Sequence, residues 1–487
     1  MSATTSLWLV LSLPLVGALA ILVLGRRPNL RETATLVTGG ALFSVVASLV
    51  PAVMAGERPT LTCFEILPGI SIEFTLEPLG MLFALVASGL WVVTSVYSIG
   101  YMRAHHERNQ TRYYVAFAIS IFATMGVALA GNLLTLFVFY EVLTLATYPL
   151  VSHAGTEKAV KGARTYLTIL MSTSVALLLL AVVWTWVVAG TLDFTEGGIL
   201  AGKATDSVVL VLLLLYAFGT GKAALMPVHR WLPAAMVAPT PVSALLHAVA
   251  VVKAGVFTIL KVVVYIFGLD LLTTTGANVW LMYAAGTTIL LASLIAMRQD
   301  NLKRRLAYST ISQLSYIVLG AALANSYGII GGGMHIVMHA FGKITLFFAA
   351  GAIYVATHKT EISDMRGLGR TMPITMACFA IGALSVIGLP PTGGTWSKWF
   401  LVLGAAEAGQ LALIAVLLLS SLLNIAYLMP IPVRAFFSPV PDGPARPKIK
   451  EAPLFCLLPI CFTAAGSIVL FFFADEVRAL LAPLVGA

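Results

Sequence analysis

Long apolar runs separated by short polar connections make up almost the whole chain. A membrane-spanning helix needs about 20 consecutive, mostly apolar residues. Fourteen stretches approach or exceed that length, with short polar breaks between them. The pattern predicts an all-α integral membrane protein with about fourteen transmembrane helices, at roughly 6–25, 34–54, 78–101, 113–130, 132–151, 165–189, 207–228, 242–269, 277–297, 306–325, 329–357, 372–405, 410–433 and 454–473.

Composition supports this prediction. Of the 487 residues, 59% are hydrophobic and only 10% are charged, whereas soluble domains carry about 25% charged residues. Such a chain has too little polar surface to face water, which excludes a set of soluble domains. The first apolar run lacks a basic region before it, so it is predicted to be a retained helix and not a cleaved signal peptide.

The distribution of basic residues predicts the orientation. Loops that follow odd-numbered spans hold 21 of the 29 Lys and Arg residues, and the opposite loops hold three. Basic loops face the cytoplasm. Both termini are therefore expected outside the cytoplasm, in a multi-pass protein of the inner (cytoplasmic) membrane. Topology also explains the net charge of +9, and no nucleic-acid partner is expected.

The remaining five basic residues fall inside apolar spans, together with the carboxylate of Glu141. A charge at a helix centre costs about 2.5–3.5 kcal/mol on insertion scales, and intramembrane ionisable groups usually mark ion or proton pathways. Two alternatives remain open: Lys261 could snorkel to the headgroups, and Glu141 could form a structural ion pair with a lysine. The five lysines are Lys222, Lys253, Lys261, Lys343 and Lys398.

Spans seven and twelve are interrupted by Pro and Gly, and each interruption has a lysine beside it, Lys222 or Lys398. Paired interrupted helices indicate a transport site built from inverted repeats, although simple bends are the alternative. Counting five spans per repeat predicts four regions. These are helices 1–3 at 1–112, a first repeat of helices 4–8 at 113–270, a second repeat of helices 9–13 at 271–437, and helix 14 at 438–487.

Histidines add to the titratable groups at membrane depth. His335, His339 and Lys343 are spaced i, i+4, i+8, so they share one helix face. Three such groups favour a proton wire over an isolated core histidine. His247 lies six residues before Lys253, and the two could bracket a water chain. His229 lies at the first break, where it could simply be solvated.

Redox and metal chemistry are not predicted for this chain. The four cysteines, Cys63, Cys378, Cys456 and Cys461, show neither CxxC nor Cys/His zinc spacing. No GxGxxG or Walker motif is present. We therefore expect no cofactor, no metal, no iron–sulfur cluster, no disulfide framework and no catalytic centre of its own.

Five stretches together resemble the antiporter-like subunits shared by respiratory complex I, the Mrp multisubunit Na⁺/H⁺ antiporters and membrane-bound energy-converting hydrogenases. They occur in the order typical of that family. The stretches are "FVFYE" (137–141), "GKAALMPVHRWLPAAMVAPTPVSALLHAVAVVKAG" (221–255), "DNLKRRLAYSTISQLSY" (300–316), "HIVMHAFGKITLFFAAG" (335–351) and "GLPPTGGTWSKW" (388–399).

The resemblance implies roles for particular residues. Glu141 looks like the glutamate of span five, and Lys222 looks like its paired lysine in broken span seven. Lys253 looks like the central lysine, and the His335/His339/Lys343 stripe looks like a bridging relay. Lys398 looks like the terminal lysine on the way out. In the family a proton enters from the cytoplasm, follows this mid-membrane axis and leaves outward.

The resemblance to this family implies ion translocation but does not show which multisubunit complex the chain belongs to. "PAAMVAPT" is closer to Mrp D-type and hydrogenase-type members, whereas "YMRAHHERNQTRYY" is closer to complex I. The chain ends soon after span fourteen, without the long lateral helix of the distal complex I subunit. The expected function is translocation of H⁺, alternatively of Na⁺ and H⁺, as an Mrp D-like subunit among other membrane subunits. The alternatives are a proton-pumping subunit of an NADH-quinone oxidoreductase or hydrogenase complex, and a proton-coupled inorganic carbon transporter.

Overall fold

Helices account for most of the computed structural model, which describes residues 2–67, 69–439 and 448–486, apart from the side chains of Leu67, Leu246 and His247. The helices of the first half are α1 Ala3–Val23, α2 Pro28–Ser48, α3 Val50–Met54, α4 Pro78–Ala104, α5 Gln110–Leu129, α6 Leu133–Val151, α7 Glu157–Thr173, α8 Leu179–Ala189, α9 Asp206–Gly219, α10 Trp231–Ala234, α11 Thr240–Ala244, α12 Val251–Val262 and α13 Leu269–Thr275. Those of the second half are α14 Val279–Met297, α15 Leu302–Leu323, α16 Ser326–Thr357, α17 Pro373–Ile387, α18 Gly394–Glu407, α19 Leu411–Leu428, α20 Pro430–Phe437, α21 Leu454–Phe472 and α22 Ala474–Leu481.

Eleven helices of the described part of the chain are long and apolar enough to cross a membrane, or twelve if one pair bent by 82° counts as a span. Predicted spans seven, eight and twelve coincide with helices that are broken or built from several segments. A count that requires one long unbroken helix per span omits these three, so it gives eleven spans and not fourteen. The predicted total of fourteen is compatible with this architecture, and the division into inverted repeats stays a prediction.

Side-chain caps fix the start of several spans. Asn132, Asn301 and Asn325 each accept a hydrogen bond from the backbone N–H three residues on, at 2.8–3.1 Å. Glu77 does the same for Leu79 and Gly80 at the start of α4. Such caps satisfy amide groups that the first helical turn leaves unpaired, so each span begins at a defined depth.

The 32-residue helix α16 forms the centre of the molecule, and its residues from Gly328 to Ile353 are mostly buried. It packs against α15, α17, α18, α21 and α4. Helix α12 is also buried along its whole length. Charged groups carried by these two helices therefore lie inside protein and away from lipid.

Two elements lie outside the predicted spans, and the first of them, a β-hairpin, differs from the all-α prediction. Strands β1 Thr60–Leu67 and β2 Ile70–Thr75 form an antiparallel hairpin between α3 and α4, with Thr60 opposite Thr75. Alternating burial along β2 shows the period of two that produces a strand. The short helix α22 follows span fourteen and carries Asp475, Glu476 and Arg478.

Candidate functional site

The first break places Lys222 in a one-turn 3₁₀ segment, Gly221–Ala223, directly after α9. The indole Nε1 of Trp231 donates to the carbonyl of Gly221 at 2.9 Å, which satisfies one of the backbone groups that the break frees. Helix α12 crosses this turn closely, because a Cβ on Gly255 would lie 2.3 Å from the backbone nitrogen of Ala223. The break is thus a packed structural feature.

Lys222 is fully buried and reaches toward α6. Its Nζ donates to the carbonyl of Tyr140 at 2.7 Å and to Thr144 Oγ1 at 2.6 Å. It also lies 3.1 Å from the centre of the Tyr140 ring, a cation–π contact. The ammonium is therefore held by neutral oxygens and an aromatic face.

Glu141 does not form an ion pair with Lys222 in this conformation, which contradicts the structural-pair alternative. Among the described residues no cation lies within 4.0 Å of its carboxylate, and both oxygens are buried without a hydrogen-bond partner. Lys222 instead binds the backbone carbonyl of Tyr140 and the hydroxyl of Thr144 on the same helix. The two charges are neighbours across α6 and do not touch.

Three helices meet at a central cluster of titratable groups. Lys253 of α12 is fully buried, and its Nζ lies 2.7 Å from Nδ1 of His339 on α16. The rings of His339 and His335 stack with their centres 5.7 Å apart. His335 Nδ1 lies 2.8 Å from Ser397 Oγ on α18. An unbroken series of contacts therefore joins α12 to the second broken helix.

Lys343 extends the same face of α16, as its spacing predicts. Its Nζ donates to Ser309 Oγ on α15 at 2.8 Å, and His335 Nε2 lies 3.2 Å from Gln313 Oε1 on the same helix. The hydroxyl of Tyr427 donates to Ser309 Oγ at 2.9 Å. Neutral hydroxyl and amide groups of α15 and α19 thus surround this branch.

Lys398 lies just beyond the second break. The break runs from Gly388, the cap of α17 with a φ of 90°, to the start of α18. A Cβ on Gly388 would lie 2.7 Å from Cδ of Lys398, so only glycine leaves room for the lysine stem. Lys398 Nζ donates to the carbonyl of Ile387 at 2.9 Å and lies 4.7 Å from the centre of the Tyr316 ring. A cavity of about 590 Å³ borders it.

The contacts described above do not include His229. His229 is half-buried in the turn Val228–Arg230, with its ring centre 6.2 Å from that of Tyr308. The side chain of His247 lies outside the described residues. No hydrogen bond in the described part of the chain joins Lys222 to Lys253, so the candidate site consists of two groups of polar residues, around α6 and around α16.

Sequence reasoning missed several neutral partners. Tyr140 precedes Glu141 directly, and Ser397 precedes Lys398, so adjacency could have pointed to both. Ser309, Gln313 and Tyr316 are spaced i, i+4, i+7, which places them on one face of α15. This row of polar residues in an apolar helix could have been recognised from the sequence as lining the buried site.

Lys261 does not snorkel. It is fully buried, and its Nζ lies 2.9 Å from Oε1 of Glu77 and donates to the carbonyl of Ala130 at 2.7 Å. Tyr265 donates to the other oxygen of Glu77 at 2.8 Å. Lys261 is thus a paired charge that ties α12 to the start of α4, separate from the central cluster.

A polar cavity of about 390 Å³ lies among the loops on the side that carries most basic residues. Tyr101, Glu107, Thr240 and Lys303 are among its lining residues. Thr240 begins α11, the segment that leads toward Lys253. The cavity is a candidate opening from the aqueous phase.

Comparisons with known proteins agree with this architecture. Residues 130–424 match the family model described as NADH:quinone oxidoreductase/Mrp antiporter, transmembrane, and residues 68–114 match that of the complex I chain 5 N-terminus. NADH-quinone oxidoreductase subunit N of Desulforudis audaxviator is 35% identical over 426 residues, 84% of each chain. Subunit L of Mycobacterium tuberculosis is 31% identical over 511 aligned positions, covering 99% of this chain and 78% of the relative.

Two solved structures share the fold. A chain of the Mrp complex from Dietzia sp. DQ12-45-1b superposes with a TM-score of 0.88 at 23% identity, covering 100% of this chain and 97% of that one. A chain of the archaeal membrane-bound sulfane sulfur reductase superposes with a TM-score of 0.86 at 25% identity, covering 98% and 96%. Both belong to multisubunit membrane complexes.

Proposed function

Because this chain belongs to the family of antiporter-like membrane subunits of complex I-type, Mrp-type and related complexes, we propose that it translocates protons along the axis formed by Glu141, Lys222, Lys253, His335, His339, Lys343 and Lys398. The observation that carries the proposal is the contact of Lys253 with His339 at 2.7 Å, continued by His335 to Ser397, the neighbour of Lys398.

The central cluster is difficult to explain as a structural device. Buried charges with a structural role are generally paired with an opposite charge. Among the described residues the ion pairs involve neither Lys253, Lys343 nor Lys398. Ammonium groups in a low-dielectric surrounding repel one another, so protonating one disfavours protonating the next. This property suits groups that hand protons on.

We propose a direction for this path. In the proposal a proton arrives through the cavity beside Thr240 and Lys303, reaches Lys253, and moves through His339 and His335 to Lys398. Glu141 and Lys222 form a charge pair that closes when Lys222 turns from Tyr140 toward the carboxylate. Transfer between Lys222 and Lys253 then requires ordered water or His247, because hydrogen bonds of the described residues do not cover that interval.

A flux assay with matched variants tests this function. The complex containing the chain is purified, reconstituted in liposomes and assayed with pH- and Na⁺-sensitive dyes. Lys222→Met and Glu141→Ala should abolish proton flux while the subunits still copurify. The exposed Lys161, which does not line the entry cavity, supplies the control: Lys161→Met should keep full flux. Full flux in both axis variants, or no flux of either ion in the intact wild-type complex, would contradict the proposal, and the latter result would favour a scaffold or an inorganic carbon carrier.

The names of the sequence relatives also indicate which kind of complex contains the chain. Their names favour a redox complex of the NADH-quinone oxidoreductase type over the Mrp D-like assignment, for which the likeness at 23% identity supports the fold alone. Copurification decides between them. Quinone- or iron–sulfur-binding partners would establish the redox assignment, and small membrane subunits alone would establish the antiporter.

A further inference from the structure

A cluster of four cations lines a cavity of about 280 Å³ at the membrane surface, on the side that carries most of the basic loops. We call it the basic cleft. It is formed by Lys359, Arg366, Lys448 and Lys450, together with the backbone around Gly367 and Thr371. None of these residues belongs to the axis described above, although Lys359 also lines the polar cavity beside Thr240 and Lys303.

Three separate segments build the cleft. Lys359 follows α16, Arg366 lies in the turns that precede α17, and Lys448 and Lys450 lie before α21. Backbone hydrogen bonds hold the segments together: Lys450 N–H donates to the carbonyl of Thr371 at 2.7 Å, and Gly367 N–H donates to that of Arg434 at 3.2 Å. The position of the four cations is therefore set by the fold.

Carboxylates of the described residues do not neutralise the cleft. None of the ion pairs within 4.0 Å in that part of the chain includes its four cations. Glu451 is next to Lys450, but its oxygens accept from Ile374 N–H at 2.7 Å and Thr375 Oγ1 at 2.5 Å at the start of α17. Four positive charges that no carboxylate of the described residues pairs within 4.0 Å favour an anionic ligand in this concave site.

The surroundings of the cleft indicate the kind of anion. Phe437 and Ile449 are 81% and 70% exposed, although both are large apolar side chains. Helix α20, which ends at Phe437, packs against the turn at Gly369, where a Cβ would lie 2.6 Å from the Phe436 ring. Exposed apolar groups beside a cationic cavity match an amphipathic ligand, with acyl chains next to an anionic headgroup.

We propose that the basic cleft binds the phosphoryl headgroup of an anionic phospholipid in the basic-side leaflet. Basic pockets between transmembrane helices are suited to such headgroups, and each Lys or Arg near the surface contributes about 1 kcal/mol. The cations hold the phosphate, and Phe437 and Ile449 contact the chains. An acidic soluble partner would use the same charges but has no need of the apolar flank.

Thermal unfolding of the purified complex in detergent tests the lipid site, with phosphatidylglycerol or phosphatidylcholine added, since a ligand of the folded state raises the unfolding midpoint. Phosphatidylglycerol should raise the midpoint and phosphatidylcholine should not. In Arg366→Gln/Lys448→Gln/Lys450→Gln the apparent affinity for phosphatidylglycerol should fall roughly fivefold for each cation removed, while the midpoint without lipid stays that of the wild type.

A second triple variant removes the same charge from the same side of the membrane. Lys161, Arg164 and Arg304 are exposed cations outside the cleft, and their replacement by Gln should leave the lipid response intact. Equal losses in both triple variants would overturn the site in favour of a diffuse surface attraction. Full competition by inorganic phosphate, or an acidic protein that copurifies through the cleft cations, would overturn the lipid assignment.

Discussion

Individual lysines at membrane depth fall into two kinds. Lys222, Lys253, Lys343 and Lys398 are held by neutral oxygen or nitrogen atoms, whereas Lys261 is paired with a carboxylate. A buried cation without a counterion can change its protonation state without breaking an ion pair. The paired one is held by its carboxylate, so the proposed function assigns the first four to ion movement and leaves Lys261 with a structural role.

Breaking the Glu77–Lys261 pair should destabilise the protein strongly. Glu77→Gln keeps an oxygen to cap α4 but leaves the ammonium of Lys261 buried without its counterion, and removing one partner of a buried pair costs about 3–5 kcal/mol. The double variant Glu77→Gln/Lys261→Met should lose less than the sum of the two single variants. The free energies of unfolding of the four proteins form the cycle that measures this coupling.

The exposed pair of Arg478 and Asp475 provides the comparison, with its atoms 2.7 Å apart on α22. Exposed pairs contribute little, so Asp475→Asn should leave the unfolding midpoint almost unchanged. Equal effects of Glu77→Gln and Asp475→Asn would show that the buried pair does not support the fold.

His153 should make the stability depend on pH. It is 5% exposed, and burial, together with the nearby Arg112, lowers its pKa from 6.5. Below about pH 6.5 the unfolded chain takes up a proton that the folded chain refuses, so stability is lost as the pH falls. The carboxylate of Glu107 lies 3.7 Å from Nε2 of His153. Burial raises the pKa of Glu107 from 4.5. The folded chain therefore takes up a proton at Glu107 more readily than the unfolded chain, and this adds stability as the pH falls toward 4.5.

A variant separates the histidine from the glutamate. Between pH 7.5 and 5.5, the unfolding midpoint of the wild type should fall relative to that of His153→Gln. The exposed His106 supplies a control, and His106→Gln should keep the wild-type profile. Parallel profiles of the wild type and His153→Gln would rule out a role for this buried imidazole.

At the scale of elements, the contact between α12 and the first break should be sensitive to one added methyl group. Gly255→Ala places a Cβ 2.3 Å from the nitrogen of Ala223, so α12 must move away from the Lys222 turn. We expect a lower unfolding midpoint and reduced proton flux. Gly40 in α2 has no heavy atom within 4 Å of such a Cβ, and Gly40→Ala should stabilise its helix by about 0.5–1 kcal/mol. Identical behaviour of the two variants would mean that the close approach has no consequence.

The sequence predicted the broken helices well, because Pro and Gly disrupt a helix wherever they occur in its interior. It also placed His335, His339 and Lys343 on one face, since helical spacing is independent of the neighbours. The partner of Lys222 could not be predicted in this way. A lysine side chain is long enough to reach several neighbours across a helix interface. In the folded protein the ammonium of Lys222 contacts Tyr140 and Thr144 and not Glu141, and this choice depends on tertiary packing.

The β-hairpin between α3 and α4 was missed for a different reason. Its strands are short, and two apolar spans flank them, so the alternation of "SIEFT" stood out little against the surrounding hydrophobicity. Its position depends on tertiary contacts, because Asn132 at the start of α6 donates to the carbonyl of Ser71 at 2.8 Å. Pairing between segments 61 residues apart has no local sequence signal.

At the scale of the whole molecule, the sidedness predicted from basic loops can be tested with the native Cys63. This residue lies on β1 and is partly exposed. Burial raises the pKa of its thiol, so labelling should be faster at alkaline pH, where more thiolate forms. A membrane-impermeant maleimide should label Cys63 in right-side-out vesicles and not in everted ones.

Lys161→Cys supplies the opposite case, since Lys161 lies on a predicted cytoplasmic loop and is exposed. In that variant the new cysteine should be labelled only in everted vesicles, where Cys63 is not. Labelling of Cys63 from the everted side would reverse the assigned orientation and, with it, the leaflet of the basic cleft.

The interval between Lys222 and Lys253 has a consequence for energy conservation. A row of exchangeable protons that ran without interruption from one aqueous phase to the other would short-circuit the membrane and dissipate its voltage. Here the ammonium of Lys222 faces α6, and no hydrogen bond of the described residues bridges the interval to Lys253. If the chain translocates protons as proposed, transfer across this interval is the step at which work done elsewhere in the assembly can control the proton current.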